Sequence, residues 1–165
     1  MKETRYLKDN IQNIKQLFSI PALQHFETRN LAKLVRLSKI RQYDNGEYII
    51  REGDTDPWLY FLLSGAVRIE KNGIEITRLD RMGEIFGEMR ILDSLSRSAS
   101  VVAIGQTVTL AVNTSATERL ESEDEIANFL LLLYKVFSEY MSIRLRLSND
   151  ELIKAKREIN HLKAQ

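Results

Sequence analysis

The chain has 165 residues, 44% of them hydrophobic and 28% charged, enough to bury one core of its own, and it divides its charges almost evenly, 24 basic against 23 acidic. That balance offers no general attraction to a polyanion such as DNA. The absence of cysteine excludes disulfides, thiolate metal sites and cysteine nucleophiles, and favours an intracellular, cytoplasmic setting.

The start, MKETRYLKDN, is charged rather than apolar, and the densest apolar run, FLLLLY at 129–134, is too short to span a bilayer, so no membrane association is expected. In residues 1–37 apolar positions recur at helical spacing (Leu7, Ile11, Ile14, Leu17, Phe18, then Leu31, Leu34, Val35), divided by a turn at Pro21. This predicts short N-terminal helices packing on the sandwich that the next segment is expected to form.

From about 38 to 113 the pattern becomes that of short strands, within a β-sandwich expected over 38–121: KIRQY, EYIIRE, WLYFLL, AVRIEK, IEITRL, ASVVAI and TVTLAV, with turn signals at DNG, EGDTDP, SG, KNG, RMG and GQ. The expected fold is mainly β with flanking α, an antiparallel β-sandwich or jelly roll. KNG between alternating segments is a strong hairpin signal. Trp58 and Tyr60 alternate along one segment and read as core or sheet-face residues.

After 113 the pattern turns helical. Ser115 with Glu118 and Ser122 with Glu125 each fit a capping box, placing helix starts near 116 and 123. The segment 122–165 contains neither Gly nor Pro, and Leu145, Leu152 and Ile159 with Ser148, Ala155 and Leu162 recur at heptad spacing. Its distal part is expected to form a coiled coil, giving a homodimer, while Ile126–Tyr140 is apolar on most sides and should pack on the sandwich.

One stretch inside the strand region, FGEMRILDSLSRSAS at 86–100, has local helical character after a glycine. Free N–H groups at such a turn attract an anion, and the fork of Arg97 can reach the same point. Glu88 would repel a bare phosphate but suits a ligand that also offers hydroxyls. Phosphate plus sugar hydroxyls points to a nucleotide.

These residues resemble the phosphate-binding cassette of the cyclic nucleotide-binding domain, the sensory module of the catabolite activator protein family and of cyclic-nucleotide-dependent kinases and channels. Gly87, Glu88, Ile91, Arg97 and Ala99 fall at the cassette's spacing, and LFSIPALQHF at 17–26, GEYIIREGD at 46–54 and LYFLLSGAV at 59–67 resemble the surrounding frame. The resemblance, covering about residues 17–150, implies a role for each match. Glu88 accepts a hydrogen bond from the ribose 2′-hydroxyl and Arg97 pairs with the cyclic phosphate. Ser98 and the N–H groups of Met89 and Ala99 complete the phosphate site, and Phe86 and Ile69 form apolar walls. In activator-type members hydroxyl residues of the long helix touch the purine, which puts Ser148 and Asn149 there, beside Arg144 and Leu145. For Ser148 and Asn149 a polar place in a helix seam is an equal alternative.

Two positions depart from the family pattern: Arg90 replaces a small residue and Ser96 a proline. Ser98 in place of the threonine associated with cGMP favours cAMP over cGMP as the ligand. The implied function is a cAMP sensor that signals through its C-terminal helix, to itself or to a protein effector. Arg90 keeps open a docking module with a degenerate cassette, or a cassette retuned for a cyclic dinucleotide. An enzyme is not expected: metal-dependent jelly rolls need clustered ligands, whereas the chain has only His25 and His161. DNA binding by this chain is not expected either, since the residues after Ser148 are too few for a further domain of about 50 residues. The sensor then acts through a ligand-dependent dimer or as part of something longer.

Overall fold

The computed structural model describes residues 1–5, 15, 17–20, 23–24, 27–89, 95–116, 120 and 122–163. Leu7, Ile11, Ile14, Pro21, His25, Arg90, Ile91 and Glu118, singled out above, lie outside them. Seven strands are joined by hydrogen bonds: β1 (Lys2–Glu3), β2 (Ser38–Tyr43), β3 (Tyr48–Ile50), β4 (Trp58–Lys71), β5 (Ile74–Leu79), β6 (Ile85–Phe86) and β7 (Ser100–Asn113). Helix α1 (Thr28–Arg36) precedes β2, and helix α2 (Glu123–Lys163) follows β7. Every strand pairing is antiparallel, in the order β1-β2-β7-β4-β5 with β3 added to β7 and β6 to β4.

Strands β4 and β7, each 14 residues long, form the spine. The SG at 64–65 and the GQ at 105–106, expected to be turns between separate strands, are instead irregularities inside continuous ones. The β4–β7 register shifts on both sides of Ser64. Gly65, with φ +85, allows this, since a Cβ there would lie 2.3 Å from the Gln106 carbonyl oxygen and 2.8 Å from Thr107 Cα. A glycine bulge bends a strand without ending its ladder, which is why turn chemistry misplaces a strand end here. The KNG hairpin does form, with Asn72 and Gly73 both at positive φ as a tight two-residue turn requires.

Alternation along β4 and β7 divides the core in two. Leu59, Phe61, Leu110 and Val112 face the helices, where they bury Leu31, Leu34 and Val35 of α1 and Phe129, Leu132, Leu133, Val136 and Phe137 of α2. Tyr60, Leu62 and Ala111 face the other way, into a cluster with Tyr43, Ile50, Val67, Leu79, Phe86 and Val101. That second cluster lies beneath the residues of the candidate site.

The helix starts as its cap dictates: Ser122 Oγ accepts the Glu125 N–H at 3.2 Å. Arg36 of α1 pairs with Glu125 at 3.5 Å, tying the two helices together. Among the described residues α2 is the one helix long and apolar enough to cross a membrane by length and composition, and Phe129, Leu132, Leu133, Val136 and Phe137 of it are buried in the core. Residues 2–3, expected within a helical N-terminal segment, form a strand on β2. Glu3 draws it there, accepting from Arg41 Nε at 2.5 Å and Lys39 Nζ at 2.7 Å, contacts available only to an extended chain alongside β2.

Phe137 anchors α2 in the core with 1% of its surface exposed, whereas Ile74, in the β4–β5 hairpin, is 71% exposed. Replacing Phe137 with alanine should lower unfolding free energy by about 3–5 kcal/mol, and Ile74→Ala should change it by less than about 0.5 kcal/mol. Urea titration followed by circular dichroism reads both.

Candidate functional site

The site is built where β6 ends. Gly87 turns the chain out of Phe86 at φ +83, and its lack of a side chain is needed twice. A Cβ would be strained at that φ and would stand 2.8 Å from Arg97 Nη1 and 3.1 Å from the Trp58 carbonyl oxygen. The backbone of Gly87 thus lies directly against the arginine expected to hold the phosphate.

Arg97 is only 4% exposed. Nη1 donates to the Gly87 carbonyl at 2.7 Å, Nη2 to Asp56 Oδ1 at 2.7 Å and to the Trp58 carbonyl at 2.5 Å, and Nε to Asp56 Oδ2 at 3.2 Å. These contacts take four of the five N–H donors of the guanidinium and leave the fifth on Nη1, the nitrogen beside Gly87. Main-chain bonds fix the same residue: Arg97 N–H donates to the Asp54 carbonyl and Gly53 N–H to the Arg97 carbonyl, each at 2.8 Å. Asp56 supplies the anion that a guanidinium so buried requires, whether or not a phosphate is bound.

Asp56 is the residue that sequence reasoning missed. It lies in EGDTDP, read only as a turn, 41 positions from its partner. The available signal was chemical, a carboxylate in a loop that can reach a buried arginine, and the three acids of that loop, Glu52, Asp54 and Asp56, made the choice ambiguous. Burial alone would raise the Asp56 pKa, but the hydrogen bonds and charge of Arg97, with the Trp58 N–H, outweigh it and hold the carboxyl below the usual range.

Glu88, 3% exposed, does not pair with Arg97. Its partner is Arg144 of α2, Nη1 to Oε1 at 3.4 Å. Burial pushes the Glu88 carboxyl above its ordinary pKa, and its own backbone N–H, Arg144 and Arg97 offset this only in part. A buried carboxylate with one long contact retains acceptor capacity. Arg144 also approaches the Tyr140 ring at 5.7 Å, so the cassette and the long helix meet through this one side chain.

The other expected site residues divide into three groups. Exposed Met89 and Ser98 close the cassette against each other, Ser98 Oγ to Met89 Sδ at 3.5 Å, with Ala99 half-buried beside them. Phe86 belongs to the inner core, and Ile69, partly buried, packs against it; Phe86 is stacked on Tyr60 with centroids 5.1 Å apart, and the Tyr60 hydroxyl accepts from Arg41, whose guanidinium lies 3.8 Å over the Trp58 ring. Phe86 supports the floor, while Ile69 keeps part of its surface exposed. Of the helix residues, Arg144 and Ser148 line a groove of about 740 Å³ between α2 and the segment 76–84, together with Thr77, Leu79 and Tyr140. Leu145 and Asn149 are exposed and do not line it. Its volume suits a small organic ligand.

Comparison with known proteins identifies the family. The sequence profile of the cyclic nucleotide-binding domain matches residues 40–124, and the chain belongs to that family. It is 40% identical over 112 residues to the cAMP-dependent protein kinase type II regulatory subunit of Drosophila melanogaster, a match that covers 63% of this chain and 29% of that protein. Its fold is similar to that of the Thermus thermophilus catabolite activator protein (TM-score 0.60, 29% identity, 82% of this chain and 63% of that one). It is also similar to a cyclic nucleotide-binding domain from Methylobacillus flagellatus (TM-score 0.67, 23% identity, 87% and 82%). The chain therefore spans less than a third of the length of the Drosophila kinase subunit it matches.

The Asp56 carboxyl, below its ordinary value in the fold, contributes stability above a pH of about 3.9 that is lost as pH falls through the lower folded value. Asp56→Asn should lower stability at pH 7 by about 1–3 kcal/mol and flatten the loss between about pH 4 and pH 2. Urea midpoints measured across that range test it.

Proposed function

We propose that this cyclic nucleotide-binding domain is a sensor for a 3′,5′-cyclic nucleotide, cAMP in preference to cGMP, and that it reports occupancy through α2. The observation that carries the reading is the pairing of buried Glu88 with Arg144, because it joins the one carboxylate suited to a ribose hydroxyl to the helix that leaves the domain.

In this reading the phosphate sits between Gly87 and Ser98. The remaining Nη1 N–H of Arg97 and the N–H groups of Met89 and Ala99 face it, and Asp56 holds the guanidinium from behind. The ribose 2′-hydroxyl donates to Glu88. The base extends towards the groove, where Ser148 is the hydroxyl on the helix side. A new donor on Glu88 changes what Arg144 meets, and so changes the free energy of one placement of α2 relative to others by the difference in ligand affinity and no more.

The relatives support the ligand class: a Toxoplasma gondii protein kinase A regulatory domain was crystallised with cAMP. We infer also that the protein is soluble and cytoplasmic, has no catalytic activity of its own, and works as a homodimer through α2 or on a protein effector.

Calorimetric titration with cAMP should give saturable binding, with cGMP weaker. Arg97→Lys keeps the charge but loses the fork, and should weaken binding at least about tenfold. Glu88→Gln should weaken it similarly. Because the folded pKa of Glu88 is raised, the stability it offers is lost as pH rises through that value, so at pH 8 unliganded Glu88→Gln should be at least as stable as the parent. A folded parent that binds neither nucleotide would overturn the proposal.

A further inference from the structure

A second charged cluster stands behind the Asp56–Arg97 pair, and nothing in the nucleotide reading uses it. Arg41 of β2 is only 9% exposed. Its guanidinium lies 3.8 Å over the Trp58 ring, Nη1 donates to the Tyr60 hydroxyl at 2.9 Å, and Nε donates to Glu3 of β1 at 2.5 Å. Glu3 also accepts from Lys39 Nζ at 2.7 Å. A guanidinium laid flat on an indole is attracted to the ring face and fixes the plane of both groups. Both rings that Arg41 touches lead on to Arg97. The Trp58 N–H donates to Asp56 Oδ1 at 3.1 Å and the Trp58 carbonyl accepts from Arg97 Nη2, so this one backbone unit touches each member of the pair. Tyr60 stacks on Phe86, and the next residue, Gly87, accepts from Arg97 Nη1 at 2.7 Å. Each acceptor that holds Arg97 is thus connected to a ring that Arg41 touches.

The strand that supplies Glu3 is slight. It pairs at two positions, Lys2 with Gln42 and Glu3 with Arg41, and the Thr4 N–H donates to the Ile40 carbonyl at 3.0 Å. Residues 1–5 are exposed. So short an edge strand opens at small cost, and a modest free energy decides how often it is docked. We propose that Arg41 is a positioning residue of the nucleotide site, set by Glu3, so that docking of β1 on β2 and binding of the cyclic phosphate strengthen each other. The inference rests on the sensor reading above and adds to α2 a second place where occupancy is felt. With β1 docked, Glu3 orients Arg41, Arg41 holds the Trp58 ring, and the Trp58 backbone keeps Asp56 and Arg97 in register, with the remaining Nη1 N–H towards the phosphate. With β1 released, Arg41 exchanges Glu3 for water and the ring loses its clamp, so Arg97 is held less closely. The effect runs equally in the other direction, as linkage requires: a bound phosphate that fixes Arg97 favours the arrangement in which β1 is docked.

Trp58 is the one tryptophan of the chain, so its emission reads this cluster directly. Glu3→Gln should shift that emission in the unliganded protein and weaken cAMP binding by about fivefold or more in calorimetric titration, with every residue at the phosphate unchanged. Arg41→Lys keeps a charge beside Glu3 but loses the flat contact with Trp58, and should weaken binding at least as much. Because Glu3 acts through Arg41, adding Glu3→Gln to Arg41→Lys should cost no further affinity; fully additive losses overturn the proposal. In hydrogen exchange of the parent, saturating cAMP should slow the Thr4 amide by about the same factor by which Glu3→Gln weakens binding, and an unchanged rate overturns the linkage. Circular dichroism and urea midpoints show each variant folded. A variant that loses stability yet binds cAMP as the parent does has a structural role only, and that outcome also overturns the proposal. A parent that binds cAMP beside a Glu3→Gln that binds it equally well sinks this inference alone, whereas a folded parent that binds no cyclic nucleotide sinks the sensor reading with it.

Discussion

A guanidinium can be buried only with an anion beside it and an acceptor for nearly every N–H. Arg97 meets both conditions through Asp56, Gly87 and Trp58, and in doing so pins together three pieces of chain that are far apart in sequence: the loop before β4, the turn after β6 and the approach to β7. Besides the pair, the loop before β4 and the approach to β7 share the main-chain bonds at Gly53 and Asp54 and the bond from the Glu52 N–H to Ser100 Oγ. The turn at Gly87, the direction of the one remaining Nη1 N–H and the placing of Glu88 one residue further on all depend on where this side chain is fixed. On the proposed reading, Arg97 is held in position before any ligand arrives, so little ordering would be left to be done on binding.

Glu88 is held differently. It is as buried as Arg97, but the ion pair it makes among the described residues is a long one, to Arg144, and its burial penalises the charged form. The two acidic side chains of the site therefore have opposite tendencies: Asp56 is stabilised as an anion by a close fork, while burial disfavours the anionic form of Glu88. Such an asymmetry separates a structural carboxylate from one with capacity to spare for a hydroxyl donor.

Much of this was legible in the sequence because the signals were local. The KNG hairpin, the Ser122 cap and the alternation of the strands each depend on a few neighbouring residues, and the structure contains all three. The family resemblance of the cassette was legible for the same reason, as fixed residue types at fixed spacing. What was not legible depends on pieces distant in the chain. Asp56 could not be matched to Arg97 across 41 positions, nor Glu88 to Arg144 across 56. The glycines at 65 and 105 carry the chemistry of turns, and only the opposing strand shows that they bend a continuous ladder. Lys2 and Glu3 form a strand because Arg41 and Lys39 wait on β2, which no local pattern records.

The continuity of α2 has a mechanical meaning. Nothing in the helix from Glu123 to Lys163 provides a joint, since it contains neither glycine nor proline. It behaves as a stiff lever whose fulcrum is the packed segment around Phe137 and whose short arm ends at Arg144. A tilt of about 10° at the fulcrum would carry Leu162, some 25 residues away, through about 6–7 Å at 1.5 Å per residue. On the proposed reading, a movement at Glu88 too small to disturb the cassette would be magnified severalfold at the far end, and the length of the helix, rather than the strength of any one contact, would set the gain.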